Sequence, residues 1–251
     1  MSTVETEISG GVGIVRLSSG RKNPINPDLV KDLSERIEEI KEGEEIQSLV
    51  LTSSDDRFFS IGLDVPRLID LERSEFRKFI REFNLLCLDI YTLPKPSVAS
   101  INGHAIAGGC ILALCCDYRY MSEGKRLIGL NEVKLGVSVP YLPHKILEQT
   151  AGERTATEMI YGGEFYSPEK ALEMGVVDEI FSSEELLEKS VEKARNLGRM
   201  PGKAFAAVKE NRTESIKEKA LERLEKDVDV FVELWFSEEG QKRLREAAKN
   251  F

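Results

Sequence analysis

Three stretches of this sequence hold residue types that can do carbonyl chemistry together. Two are bends in which glycine precedes or opens a helix, Phe58–Asp64 (FFSIGLD) and Ser100–Leu112 (SINGHAIAGGCIL). The first N–H groups of a helix have no internal acceptor, and glycine lets a substrate approach the backbone, so two such bends can jointly hold an oxyanion. The same glycines also suit tight strand–helix packing, and the pattern alone leaves both readings open. The third stretch is Arg126–Pro140 (RLIGLNEVKLGVSVP), where Glu132 sits after a largely apolar strand and before the alternating Val133, Leu135, Val137 and Val139. A desolvated carboxyl has a raised pKa and suits a general base near neutrality, whereas the ordinary alternative is a solvated glutamate at a strand end. The turn after Gly108-Gly109 carries Cys110 and Ile111, neither an acid nor a base, so Glu132 stands without an evident partner.

Hydrophobic periodicity predicts the elements that would position these residues. Val12–Ser18 alternates as a strand, and Asn26-Pro27-Asp28 starts a helix that runs through Leu29, Leu33, Ile37 and Ile40 to Gly43. Ser48–Ser53 reads as a buried strand, Asp64 and Pro66 as a helix start, and Phe76 to Ile90 as one face of a longer helix. Pro96–Gly103 reads as a strand leading straight into the glycine-opened helix, and DYRYMS and RLIGL as short strands. From Pro140 onward helices dominate, interrupted by Gly175–Phe181. Leu221, Leu224, Val228, Phe231 and Trp235 then form an apolar seam that needs a partner, either this subunit's core or another subunit. We therefore divide the chain into an α/β core over 1–195 and a helical C-terminal region over 196–251.

Composition narrows the function classes. The chain has 251 residues, 41% hydrophobic and 31% charged, with a net charge of −9 and no dominant basic stretch, which argues against nucleic acid as a partner. Its longest apolar run is far short of a bilayer's roughly 30 Å, so no membrane is expected. The N-terminus lacks the pattern of a signal peptide, and the expected location is cytoplasmic. Cys87, Cys110, Cys115 and Cys116 show no metal-ligand spacing and read as buried free thiols. No metal is expected.

Taken in order and spacing, FFSIGLD, SINGHAIAGGCILALCCDYRY and IGLNEVKLGVSVP resemble the enoyl-CoA hydratase/isomerase (crotonase) superfamily, over roughly Val12 to Val208. The resemblance implies a crotonase-like spiral of β-β-α units with C-terminal helices that assemble a homotrimer, or a hexamer as a dimer of trimers. It implies an acyl-CoA substrate, with coenzyme A as part of that substrate and no separate cofactor. The thioester oxygen would be held by the backbone N–H groups of Leu63 and Gly108, with Glu132 as the catalytic residue. Lys22, Asn23, Pro24 and Ile25 of the RKNPIN loop, and Ser60, Ile61, Gly62 and Asp64, would line the substrate and its CoA. Asp64 also reads as an N-cap. The basic segment Gln241–Asn250 would lie near CoA phosphates of an adjacent subunit.

Hydratases of this family carry a glutamate one residue past the cysteine and a second downstream; here the first position is Ile111. A lone acid suffices for a 1,3-proton transfer, so the sequence resembles the Δ3,Δ2-enoyl-CoA isomerases, which shift a 3-enoyl thioester of fatty acid β-oxidation to the 2-enoyl form. The alternatives are a hydratase recruiting Glu72, Glu75 or Glu82 as its second acid, and a non-catalytic acyl-CoA binding module. His104, at the strand-to-helix bend, reads as a packed or pocket-lining histidine, Asn131 as orienting Glu132 or capping the next element, and Asp117 as structural.

Overall fold

The computed structural model describes residues 2–249. In chain order the elements begin with β1 (Val4–Ser9), β2 (Val12–Leu17), β3 (Pro24–Ile25), α1 (Pro27–Glu42), β4 (Ser48–Ser53), β5 (Phe58–Ser60) and β6 (Gly62–Leu63). They continue with α2 (Val65–Leu68), α3 (Arg73–Tyr91), β7 (Ser97–Ile101), β8 (His104–Ile106), α4 (Gly108–Leu114), β9 (Tyr118–Ser122) and β10 (Ile128–Gly129). A 3₁₀ turn over Glu132–Leu135 leads to α5 (Tyr141–Ala151), α6 (Glu153–Gly162), α7 (Pro168–Glu173), β11 (Glu179–Phe181), α8 (Leu186–Gly198), α9 (Gly202–Trp235) and α10 (Glu238–Ala248).

A six-stranded sheet in the order β1-β2-β4-β7-β9-β11 is the backbone of the molecule. After each inner strand the chain leaves this sheet for a short strand of a second layer, and a helix then returns it. β7 is followed by β8 and α4 in this way, and β4 by β5, β6 and the α2–α3 pair. The short strands β10, β8 and β5 pair in parallel as a three-stranded sheet, and β3 pairs with β6. This is the crotonase spiral of β-β-α turns. It places every bend between layers at one end of the large sheet, where backbone groups from several turns can converge.

Most boundaries follow from local rules. The Asn26 side chain accepts from the Leu29 N–H and caps α1, with Pro27 as the first helical residue. Leu29, Leu33, Ile37 and Ile40 are buried against the core, each contributing about 2 kcal/mol by area. One expectation is corrected. β7 does not lead straight into α4, because the chain turns at Gly103 and adds β8 before the helix begins. After Glu132 the chain forms a 3₁₀ turn over Glu132–Leu135 that leaves Val133 49% exposed, closed by Gly136 at φ 78°. The apolar pattern there comes from packing of a turn, not from a pleat. β1 is an element the sequence reading left out.

The C-terminal seam meets its own subunit. Val228, Phe231, Val232 and Trp235 join the main core, and Trp235 stacks on Phe76 of α3 with centroids 4.3 Å apart, whereas Leu221 stays 46% exposed. The division at 195/196 falls inside α8, and α9 packs back against α3 and α5. At about 1.5 Å per residue, α9 extends about 51 Å over its 34 residues. Near its start, Lys209 Nζ reaches Asp117 Oδ2 at 2.8 Å and the Lys95 carbonyl at 3.3 Å, both side chains being largely buried. Asp117 Oδ2 also accepts the Ser97 N–H at 2.9 Å and hydroxyl at 3.0 Å. The four cysteines are free and buried.

Removing one partner of a buried ion pair strands the other charge. Lys209→Met is therefore expected to lower unfolding free energy by about 3 kcal/mol in urea denaturation. A change below about 0.5 kcal/mol, the range of ordinary surface substitutions, would show that α9 is held by its apolar seam alone.

Candidate active site

The bends between layers line a cavity of about 430 Å³ that opens to solvent. Its walls come from every turn of the spiral: Ile61 and Leu63 around β6, Phe83 of α3, Ile106 to Gly108 at the β8–α4 corner, Asn131 and Glu132 after β10, and Phe231, Trp235, Leu244 and Ala247 from the C-terminal helices. The walls are overwhelmingly apolar. Glu132 is their sole carboxylate among the described residues.

Two corners meet at one end of this cavity. Gly62 has φ 92°, and a Cβ there would lie 2.9 Å from the Ile106 carbonyl oxygen and 3.2 Å from the Gly108 nitrogen. Only glycine permits this approach. Asp64 N–H donates to the Ile25 carbonyl at 2.9 Å, so strand alternation turns the preceding Leu63 N–H away from β3. Gly108 is the first residue of α4, where N–H groups have no helical acceptor, and its cap Ala107 offers no side-chain bond. Ala107 itself sits at φ 49°, ψ −119°, a conformation that costs a non-glycine residue about 1–3 kcal/mol. The Ala107 N–H to Gly129 carbonyl bond at 2.8 Å and the Ile111 N–H to Ala107 carbonyl bond at 3.0 Å hold it there. Gly109 serves packing instead: a Cβ would fall 2.4 Å from the Ser60 carbonyl oxygen. The packing reading therefore holds at Gly109, and the close approach at Gly62 brings its corner against the start of α4.

Glu132 is 5% exposed, and burial pushes its carboxyl up to about 7, against a smaller downward pull from its own backbone N–H. Its Oε2 and the Asn131 Oδ1 are both buried without a hydrogen-bond partner. Asn131 makes no capping bond to the turn, which removes one of its two expected roles. Ile111, 4% exposed, is a wall of the same cavity. Glu72, Glu75 and Glu82 are exposed on or beside α3 and absent from the walls, so they do not supply a second carboxylate there. His104 is half-buried, lines the cavity and packs on Phe58 with centroids 5.1 Å apart. Burial, then Arg126 and Arg57, lower its pKa, which favours the neutral ring.

The remaining candidate residues brace the corners. Asn23 is fully buried: its Oδ1 accepts the Ser19 N–H at 2.8 Å, and its Nδ2 donates to Ser53 Oγ at 2.6 Å and the Phe59 carbonyl at 3.2 Å. The Ser60 hydroxyl donates to the Asn23 carbonyl at 2.7 Å and accepts the Gly62 N–H at 3.2 Å. Pro24 and Ile25 form β3 and pair with Gly62 and Leu63. Asp64 caps α2 by accepting the Arg67 N–H at 3.3 Å and takes a bond from Asn26 Nδ2, also at 3.3 Å. Lys22 lies with Nζ 5.7 Å from the centroid of the Phe58 ring. Of the basic C-terminal segment, Arg243 pairs with Glu239 and Arg245 with Asp70, and Asn250 lies outside the described residues. Sequence reasoning missed Ala107 and the C-terminal walls. A strained alanine leaves no compositional mark, and the seam ending at Trp235 showed an apolar face without showing what it covers.

Comparison with known proteins gives the family. The enoyl-CoA hydratase/isomerase family model matches residues 7–251. The mouse mitochondrial enoyl-CoA delta isomerase 1 is 34% identical over 188 residues, which span 74% of this chain and 65% of the mouse protein, just under two thirds of its length. The crystal structure of human mitochondrial Δ3,Δ2-enoyl-CoA isomerase superposes with a TM-score of 0.95 at 26% identity, covering 99% of this chain and 97% of that one. An enoyl-CoA hydratase from Bacillus halodurans superposes at 0.89 and 27% identity, covering 98% and 100%. Among the described residues no helix is long and apolar enough to cross a membrane. With matching motifs, a shared spiral and a family model spanning nearly its whole length, the chain belongs to the enoyl-CoA hydratase/isomerase family.

Proposed function

We propose that this protein is a Δ3,Δ2-enoyl-CoA isomerase of fatty acid β-oxidation, moving the double bond of a 3-enoyl-CoA to the 2 position through a single acid/base. The observation that carries the reading is that Glu132 is, among the described residues, the lone carboxylate of an apolar cavity that Ile111 also lines. Isomerase and hydratase relatives share the fold, so the cavity walls, not the likeness, favour one reaction over the other.

In this reading the thioester oxygen lies between the N–H groups of Leu63 and Gly108. The C2 hydrogen is acidified by the carbonyl and the adjacent double bond. Glu132, as carboxylate, takes that proton, and the electron pair moves through C2 onto the thioester oxygen as a dienolate. Fixed backbone donors stabilise this oxyanion without reorganising, each worth about 3 kcal/mol in related hydrogen-bond deletions. The protonated Glu132 then delivers the proton to C4, the oxyanion electrons reform the carbonyl, and the double bond rests between C2 and C3. No atom is gained or lost. A pKa near 7 serves both halves, because the group must accept and release a proton with little bias. Ile111 offers nothing to orient water, and apolar walls filled by the substrate would protect the dienolate from side reactions.

The reading includes CoA as part of the substrate and a homotrimer or dimer of trimers as the assembly.

With a purified 3-enoyl-CoA we expect conversion to the 2-enoyl thioester at unchanged mass, with kcat/KM rising with pH and levelling above about 7. Glu132→Gln should lose at least about a thousandfold, within the range for a general base. Water addition to a 2-enoyl-CoA at a comparable rate would instead establish the hydratase, and binding of both thioesters without turnover the binding module.

The raised pKa also predicts a stability difference. The folded state holds the Glu132 proton above pH 4.5, where the unfolded chain has released it, so wild-type stability falls as pH rises from about 4.5 to about 7. Glutamine has no such proton. The melting temperature of Glu132→Gln relative to wild type should therefore climb across that window and reach a plateau near pH 8, by about 3 kcal/mol in unfolding free energy. A pH-independent difference would mean that the carboxyl is solvated.

A further inference from the structure

The rim of the cavity holds a polar side chain that the proposed reaction does not use. Strand side chains alternate, so His104 and Ile106 lie on one face of β8; both line the cavity, while Ala105 between them joins the core. His104 is half-buried, and neither of its ring nitrogens has a hydrogen-bond partner among the described residues. Neither belongs to the fully buried polar atoms that lack a partner, so both keep accessible surface. The other neutral polar walls are placed differently. Asn84 spends its Nδ2 on the Ile80 carbonyl at 2.8 Å, and Asn131 stands beside Glu132 at the reacting end.

Charge gives this part of the rim a direction. Burial, then Arg126 and Arg57, favour the neutral His104 ring, so two cations stand near it. Arg126 is anchored on backbone carbonyls, Nε to Asn102 at 3.3 Å and Nη2 to Asp56 at 3.2 Å. Lys22 Nζ lies 5.7 Å from the centroid of Phe58, the ring on which His104 packs. Asp55 spends its Oδ1 on the N–H groups of Arg57 and Phe58. By contrast, no lysine or arginine lines the cavity among the described residues. The anionic end of an acyl-CoA therefore belongs outside this rim, and the arm that joins it to the thioester passes His104 on its way to the Leu63–Gly108 corner. Four residues separate His104 from Gly108, at most about 14 Å of chain, a distance the arm can cover. A neutral imidazole offers one donor and one acceptor, and each amide of a pantetheine arm offers the same pair. An arm without amides would strip water from the ring and return no hydrogen bond.

We propose that His104 is a specificity-determining residue whose ring nitrogens hydrogen-bond an amide of the pantetheine arm, so that the enzyme selects amide-bearing thioesters over amide-free ones with the same acyl chain. This rests on the acyl-CoA reading of the site above. It assigns the arm to the rim between β5 and β8 and leaves the walls from α9 and α10 to the acyl chain.

The test compares wild type with His104→Phe, which keeps an aromatic ring against Phe58, and with His104→Gln, which restores a donor and an acceptor. Each is given acyl-pantetheine thioesters in which the near amide, the far amide or neither is replaced by a trans-alkene of the same shape. Saturated acyl chains are titrated by calorimetry, and their 3-enoyl counterparts are assayed for turnover. In wild type, replacing one of the two amides should weaken binding and lower kcat/KM about tenfold, the scale of one neutral hydrogen bond lost. That ratio should fall to about one in His104→Phe and recover in part in His104→Gln. The imidazole NMR signals give a reading that stands even if the variants fail to fold. The chain has two histidines, and His144, 2.9 Å from Glu148 Oε1 on α5, serves as the reference, assigned with His144→Gln. The His104 ring nitrogens should shift more with the full pantetheine ligand than with its alkene counterpart. No loss at either amide in wild type, a ratio that survives in His104→Phe, or ring signals that move alike with both ligands overturns the proposal. An amide preference in binding that depends on His104, without double-bond migration, would sustain it and sink the isomerase reading. Migration with a ratio indifferent to His104 would do the reverse, and binding of no acyl-pantetheine would end both.

Discussion

Two backbone corners must lie against one another for this chain to have a site at all. The β6 corner can touch the β8–α4 corner only because Gly62 lacks a side chain, with the Ile106 carbonyl oxygen 2.9 Å from where its Cβ would stand. Much of the surrounding polar chemistry serves that approach. Asn23 is wholly engaged in holding its loop to Ser53 and Phe59, Ser60 ties the same loop to the Gly62 backbone, and Asp64 is consumed as a cap. The strain accepted at Ala107 belongs to the same arrangement, since it is held by backbone bonds on both sides and opens α4 beside Gly62.

The second determinant is the burial of Glu132. A glutamate at a turn on the protein surface would titrate like any other. Here apolar walls from five parts of the fold keep Glu132 5% exposed, and desolvation outweighs the one backbone hydrogen bond that favours its charge. The balance is electrostatic and local: among the described residues no cation and no second donor compensates the carboxyl's lost hydration, so it gains proton affinity. Ile111 matters for the same reason. Its contribution is to be apolar where a second acid would hydrate the site and couple to the first.

Much of this was legible in the sequence because it obeys short-range rules. The N-cap at Asn26, the buried strand Ser48–Ser53 and the capping role of Asp64 follow from residue type and spacing. The glycine bends and the isolated Glu132 were visible as chemistry, and the structure brings Ile61, Leu63, Gly108 and Glu132 to one cavity. What was not legible depends on which segments meet. The alternation after Glu132 imitates a strand, yet Gly136 in the left-handed region closes a 3₁₀ turn. The seam of α9 announced a buried face, but that its last turn both packs on Phe76 and walls the cavity is a tertiary fact. Local periodicity also could not show that the RKNPIN loop braces the site more than it lines it.

The central claim is that one buried carboxyl both removes and returns the proton. A 3-enoyl thioester deuterated at C2, converted in ordinary water, tests it most directly. The account predicts that a substantial part of the label reappears at C4 of the 2-enoyl product, because Glu132 holds it where solvent exchange is slow. Complete loss of label to solvent, or a product that has gained water, would contradict it.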